Sequence, residues 1–239
     1  FTIAGVKALR AYGKPKKNWT DALRQASNAY TTQRNKQERS DRERELWPAG
    51  GYKALTKLAD ELHEEVQHIL QKAASSISMP ELYKVQQWFV ILFYSKHALR
   101  GDLGDIRITK KGQNYIEKKS GTWNIHVGQH KTVKAHGAIQ LKLHADVGKA
   151  LDQYLPYVRA KTKHGFLLST KRYGNKMTRK DMMQLIRNTT KARLGKNIGI
   201  QLIRVLKTTE HFKSIDESAQ LRGELGHGPQ MQWKYVSRT

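Results

Sequence analysis

The spacing of apolar residues changes twice along this chain, and that change restricts its fold more than any other sequence feature. Before residue 100 the apolar residues recur at helical intervals, most clearly from Leu55 to Ala73. Between Arg100 and Leu143 short alternating runs replace this pattern: DIRI, NYIEKK, TWNIHV and AIQLKL. Helical spacing returns after residue 145. This order predicts an α+β fold that is mostly helical and contains a small antiparallel sheet of three strands.

Capping and turn residues mark where the helices begin and end. A polar helix is predicted over residues 20–46, and the breaker sequence WPAGG follows at residues 47–51. Pro80 and Glu81 suit the start of an apolar helix. Further helices are predicted over residues 146–154, 178–195, 200–212 and 214–225. A capping box of Ser214 and Glu217 begins the last of these, and Gly226 ends it.

The charge of the chain indicates a polyanionic partner. Lysine and arginine number 44 against 20 aspartate and glutamate residues, which gives a formal net charge of +24. A field of this sign and size attracts nucleic acid. The sequence contains no cysteine, which excludes disulfides and thiol nucleophiles and is typical of an intracellular protein. It also lacks an apolar run long enough to span a membrane.

Common nucleotide and metal motifs are absent from the sequence. It contains no Walker loop, GxGxxG, HExxH or GxSxG pattern. His126 and His130 have a spacing found in metal sites, but a metal site would need further ligands. We therefore expect neither a metal nor a nucleotide cofactor.

Four short motifs supply the groups that metal-free phosphodiester cleavage requires. They are ALRGDLGDI with Arg100, GQHKTVKAHG with Lys131, IQLIRVLKT with Gln201 and Arg204, and LGHGPQMQWKY with His227 and Tyr235. Lys134 is a second lysine candidate in the same turn as Lys131. The planar guanidinium group of arginine binds phosphate oxygens, lysine can protonate a leaving oxygen, and tyrosine can attack phosphorus.

The order and context of these motifs resemble the catalytic domain of tyrosine recombinases of the phage-integrase type. That family has an arginine in an LR box, a hairpin lysine, a His-x-x-Arg helix, an LGH turn and a tyrosine about nine residues after that histidine. The resemblance extends over residues 48–235. It implies that residues 47–239 form the catalytic domain. Residues 1–46 would then be a basic helical extension or the remnant of a core-binding domain.

The resemblance also implies a role for each residue. Tyr235 would attack the scissile phosphate and take the 3′-phosphoryl group. Arg100 and Arg204 would hold the non-bridging oxygens, and Lys131 would protonate the leaving 5′-hydroxyl. His227 would donate to the phosphate or assist proton transfer. The chemistry requires no metal or nucleotide cofactor.

Two positions depart from the family pattern. Gln201 stands where the family usually has histidine or lysine. An amide can donate a hydrogen bond to a phosphate oxygen, but it cannot act as an acid or base near neutral pH. Tyr235 follows His227 by eight residues rather than about nine.

The leading hypothesis is therefore a site-specific recombinase or integrase of a mobile element or virus. It would act on double-stranded DNA inside a cell and associate with itself as a dimer or tetramer on that DNA. One alternative is a type IB topoisomerase, which uses the same chemistry to relax supercoils. Another is a catalytically weakened DNA-binding relative, in which Gln201 marks the decay of the site.

Overall fold

The computed structural model describes residues 17–211 and residues 223, 235 and 236. Two groups of helices are separated along the chain by a small sheet. The elements are α1 (Lys17–Asn35), α2 (Asp41–Leu46), α3 (Lys53–Leu70), α4 (Met79–Lys96), β1 (Asn114–Lys119), β2 (Thr122–Val127), α5 (Val133–His136), β3 (Ile139–Lys142), α6 (Ala145–Lys161), α7 (Arg179–Leu194) and α8 (Ile200–His211). This arrangement confirms the predicted fold class. The helix predicted over residues 214–225 lies outside the described residues.

The prediction of one polar helix over residues 20–46 is wrong, because α1 and α2 divide this segment. Gln37 adopts a left-handed backbone conformation with a φ of 58°, which ends the helical geometry. The Ser40 hydroxyl accepts a hydrogen bond from the backbone N–H of Glu43 at 3.3 Å. The Glu43 carboxylate accepts one from the backbone N–H of Ser40 at 3.0 Å. This capping box starts a new helix where the charge pattern alone predicts a continuous one.

Helices α3 and α4 pack against each other and form much of the core. Helix α3 buries one apolar face, whereas α4 is buried on nearly every side because it also contacts α6 and α7. A second capping box, formed by Ser78 and Glu81, starts α4, and Pro80 lies in its first turn. Helix α4 is therefore the central helix, and Arg100 lies just beyond its C-terminal end.

The sheet has the strand order β1-β2-β3, and both pairings are antiparallel. Ser120 and Gly121 form the tight turn between β1 and β2, both with positive φ angles of 46° and 77°, as a two-residue hairpin requires. The DIRI segment contributes only isolated bridges, from Arg107 to Tyr115 and to Phe166. The connection from β2 to β3, predicted as a turn, also contains the short helix α5. Three strands are thus confirmed.

The second group of helices follows its local sequence signals closely. Thr178 caps α7 through a reciprocal capping box with Asp181, and Gly195 ends it in the left-handed conformation with a φ of 66°. Helix α6 extends to Lys161, beyond its predicted end at residue 154. Within the described part of the chain, no helix is both long enough and apolar enough to cross a membrane.

A buried polar cluster joins α4, α6 and the loop that precedes α7. The Gln86 side-chain oxygen accepts hydrogen bonds from the Tyr154 hydroxyl at 3.0 Å and from the backbone N–H of Ser169 at 2.8 Å. The Gln86 amide donates to the Ser169 carbonyl at 3.0 Å. Tyr154 also stacks on Phe89 at a ring-centroid distance of 4.9 Å. These contacts fix the orientation of α4.

Candidate active site

Arg100 lies beyond the C-terminal end of α4, and its backbone is held by the core. The buried Tyr94 hydroxyl donates a hydrogen bond to the Arg100 carbonyl at 3.0 Å. Burial raises the pKa of Tyr94 well above its usual value, so this hydroxyl keeps its proton and remains a donor. The position from which the Arg100 side chain extends is therefore set by a buried residue of α4.

Ion pairs fasten the segment after Arg100 to the first turn of α7. Asp102, which is 1% exposed, lies in a 3-10 helix at Gly101–Asp105, and its Oδ1 is 3.0 Å from Nη2 of Arg179. Asp105 also pairs with the Arg179 guanidinium group. Burial raises the pKa of Asp102, and the nearby Arg179 charge opposes that rise. These pairs restrict the backbone immediately after Arg100.

Gln201 and Arg204 lie one turn apart on α8 but differ in exposure. Gln201 is exposed, whereas Arg204 is only 3% exposed. Burial lowers the pKa of Arg204, the nearby Arg100 charge lowers it further, and Tyr235 opposes the shift. Arginine remains protonated at neutral pH, because its ordinary pKa is very high. Two neighbouring guanidinium groups, one of them buried, favour an anion between them.

Tyr235 contacts Arg204 directly. Nη1 of Arg204 donates a hydrogen bond to the Tyr235 hydroxyl at 3.3 Å, and the guanidinium carbon lies 5.0 Å from the centre of the ring. The ring is half-buried and packs against the core, and the next residue, Val236, is 4% exposed. The tyrosine is therefore anchored beside α8, with its hydroxyl directed at a cationic group.

Lys131 lies in the turn that follows β2, two residues before α5 begins at Val133. Its side chain is exposed and lines the same cavity as Arg100 and Tyr235. Lys134, the second lysine candidate, is also exposed but is not among the described residues that line this cavity. Of the two candidates, the geometry favours Lys131.

The predicted residues that the structure describes meet in one open cavity of about 350 Å³. Its lining residues are Arg100, Gly101, Lys131, Met183, Ile200, Gln201, Arg204 and Tyr235. Five of the six predicted site residues are thus brought together, and the sixth, His227, lies outside the described residues. Sequence reasoning missed Met183 and Ile200, whose helical spacing indicates only that they belong to α7 and α8.

The charges of the cavity suit a phosphate group. Arg100, Lys131 and Arg204 contribute three cationic side chains, and no carboxylate occurs among the described lining residues. Nearby Gln201 can donate from its amide. The cavity therefore combines a tyrosine hydroxyl with hydrogen-bond donors that can stabilise negative charge on a phosphorus centre.

The two histidines with metal-site spacing have other contacts. His126 stacks on Tyr115 at a ring-centroid distance of 4.9 Å. Nε2 of His130 lies 2.8 Å from the Gly137 carbonyl oxygen. Among residues 17–211, 223, 235 and 236, no group of three or more His, Asp or Glu side chains is placed to hold a metal ion.

Comparison with known proteins defines the fold but not the function. No protein-family model matches the chain, and no curated protein matches it. The fold is similar to that of a tyrosine recombinase. The crystal structure of XerA recombinase matches with a TM-score of 0.52 and 17% sequence identity, over 77% of this chain and 59% of the XerA chain. The chain therefore spans about three-fifths of that neighbour, and the likeness establishes a shared fold.

Proposed function

We propose that this chain cleaves and rejoins double-stranded DNA through a covalent bond between Tyr235 and a 3′-phosphate. The observation that carries this proposal is the contact between Arg204 and the Tyr235 hydroxyl, inside a cavity that Arg100 and Lys131 also line. The tyrosine is the nucleophile, the guanidinium groups bind the phosphate, and the lysine serves the leaving group. The net charge of +24 supports a DNA substrate.

In the proposed reaction, each bond change is assigned to one of these groups. The Tyr235 oxygen bonds to phosphorus and releases its proton to water, while the bond from phosphorus to the 5′-oxygen breaks. Lys131 gives a proton to the 5′-oxygen, which leaves as a hydroxyl. Arg100 and Arg204 stabilise the extra negative charge on the non-bridging oxygens in the transition state. Attack by the 5′-hydroxyl reverses these steps and reseals the strand.

The role of His227 stays a prediction from the family resemblance: it would donate to the phosphate or assist proton transfer. Gln201 supplies a hydrogen-bond donor beside Arg204 and leaves proton transfer to other groups. Self-association on DNA as a dimer or tetramer is likewise part of the proposal, because exchange of strands between two duplexes needs more than one nucleophile.

The deciding experiment traps the covalent intermediate. The duplexes have randomised sequences, and each carries a nick near the cleavage position. Cleavage then releases a short fragment that bears the freed 5′-hydroxyl, so the strand cannot be resealed. We expect the wild-type protein to retain a subset of these duplexes after SDS treatment, and Tyr235→Phe to retain none. Tyr173→Phe is the matched control, because it removes the same hydroxyl group from a tyrosine that is 68% exposed and lies away from the cavity.

The same experiment separates the competing functions. A retained and sequence-enriched duplex that undergoes strand exchange supports a recombinase or integrase. Relaxation of supercoiled plasmid without sequence enrichment supports topoisomerase-like activity. An absent adduct, together with DNA binding that remains intact, would instead leave a DNA-binding relative and overturn the proposed chemistry.

A further inference from the structure

The proposed acid, Lys131, depends on its backbone for its position. A lysine side chain has four flexible carbons, so a proton reaches the 5′-oxygen reliably only when the backbone is held in place. Lys131 is carried by residues 128–138 between β2 and β3, here called the lysine loop. The contacts that hold this loop therefore determine how well the proton is delivered.

His130 holds the lysine loop from within. This residue is only 7% exposed, although both of its chain neighbours, Gln129 and Lys131, are exposed. Nε2 of His130 lies 2.8 Å from the carbonyl oxygen of Gly137, at the far end of the loop. Nδ1 lies 3.3 Å from the hydroxyl of Thr132. The ring thus spans the loop and fixes the residues on either side of Lys131.

One neutral tautomer of His130 satisfies both contacts. A carbonyl oxygen can only accept, so Nε2 must carry the proton and donate it to Gly137. Nδ1 then accepts a hydrogen bond from the Thr132 hydroxyl. Both ring nitrogens are occupied within the loop in this way, and His130 is not among the described residues that line the cavity.

Asn114 anchors the other side of the lysine loop to β1. Its side-chain oxygen accepts a hydrogen bond from the backbone N–H of Gln129 at 2.8 Å, and its amide donates to the Gln129 carbonyl at 3.1 Å. The backbone N–H of Gly137 donates to the Val133 carbonyl at 2.8 Å, which closes the end of the loop. Asn114 fixes the loop to the sheet, whereas His130 joins its two ends.

We propose that His130 is a positioning residue for Lys131, because its ring closes the lysine loop and directs the lysine amine into the cavity. This inference rests on the proposed function. It assigns to His130 a part in the breaking of the bond to the 5′-oxygen, and none in the attack by Tyr235.

A sulfur substitution tests this assignment. In the retained duplex, the bridging 5′-oxygen at the cleaved phosphate is replaced by sulfur, whose thiolate leaves without needing a proton. We expect His130→Ala to cleave the oxygen substrate about 10- to 100-fold more slowly than the wild-type protein. On the sulfur substrate it should match the wild-type protein within a few-fold. Lys131→Ala should behave in the same way, and Arg204→Ala should stay slow on both.

His130→Gln is the conservative variant, because its amide can still donate to the Gly137 carbonyl. We expect it to recover most of the rate on the oxygen substrate. An equal loss for His130→Ala on both substrates would indicate a general structural defect and overturn the inference. A wild-type rate for His130→Ala on the oxygen substrate would overturn it as well.

Hydrogen exchange provides a readout that needs no DNA. We expect His130→Ala to accelerate exchange at the backbone N–H groups of Val133 and Gly137, while Gln129, held by Asn114, exchanges as before. Lys134→Ala is the control within the same loop and should leave all three unchanged. Unaltered exchange in His130→Ala would overturn the inference whatever the activity. Absence of a wild-type adduct on both substrates would overturn the proposed function instead.

Discussion

Arg204 and Tyr235 lie 31 residues apart in the chain, yet Nη1 of the arginine is 3.3 Å from the tyrosine hydroxyl. The arginine is 3% exposed and the tyrosine half-buried, so both side chains have little freedom to move. If Tyr235 is the nucleophile, as proposed, this buried guanidinium group lies where it would stabilise negative charge on the phosphate under attack.

Arg204→Ala should slow formation of the covalent adduct by about 100- to 1000-fold, or about 2.7–4 kcal/mol in the barrier, as for the loss of one donor to a developing oxyanion. Single-turnover cleavage of the nicked duplex measures the rate of adduct formation. Arg159→Ala, which removes an exposed arginine on α6, is the matched control and should cleave normally. A wild-type rate for a folded Arg204→Ala would exclude this residue from the transition state.

DNA affinity should fall steeply with salt. A chain with a net charge of +24 binds phosphates mainly by releasing counterions, so the logarithm of the association constant should decrease linearly with the logarithm of the salt concentration. If the interface neutralises six or more phosphates, affinity should drop about a thousandfold or more between about 50 and 200 mM salt. Fluorescence anisotropy with a labelled linear duplex measures the slope. A flat response would contradict binding that is dominated by phosphate contacts.

Tyr154→Phe should destabilise the protein by about 1–2 kcal/mol without changing its fold. The Tyr154 hydroxyl lies 3.0 Å from the Gln86 side-chain oxygen and 2.9 Å from the Leu167 carbonyl, and both acceptors are buried. Urea unfolding followed by circular dichroism gives the free energy of unfolding. Tyr173→Phe changes an exposed ring and should have almost no effect. Equal stabilities for the two variants would show that the hydroxyl of Tyr154 contributes little.

The capping box of α4 should make stability depend on pH in acid. Hydrogen bonds from Lys72 and then from Ser78 lower the pKa of Glu81 from 4.5 to about 2. Because the folded protein has the lower pKa, the stabilising contribution is complete above pH 4.5 and is lost as the pH falls towards 2.

Glu81→Gln should therefore be less stable than the wild-type protein near neutral pH, and the difference should close in acid. Urea unfolding at a series of pH values measures the difference. Glu64→Gln, on α3, is the control and should show no such convergence. A constant difference between wild type and Glu81→Gln at every pH would contradict the ionised capping box.

Local sequence signals account for most of the secondary structure. Pro80 with Glu81, and Thr178 with Gly195, act over a few residues, and each marks an element boundary that the structure confirms. The break between α1 and α2 had a signal of the same kind, since Ser40 and Glu43 form a capping box. The mixed charges of this segment predict one helix only when that cap is ignored.

The sequence by itself determined the helical and strand periods, the caps, the basic charge and the order of the candidate site residues. Only the tertiary structure decided that Arg100, Lys131, Gln201, Arg204 and Tyr235 share one cavity, that Lys131 and not Lys134 lines it, and that His130 closes the lysine loop. Periods and caps arise from contacts within a few residues. The cavity arises where the segment after α4, the lysine loop, α7, α8 and Tyr235 meet, and these parts are distant from one another in the chain.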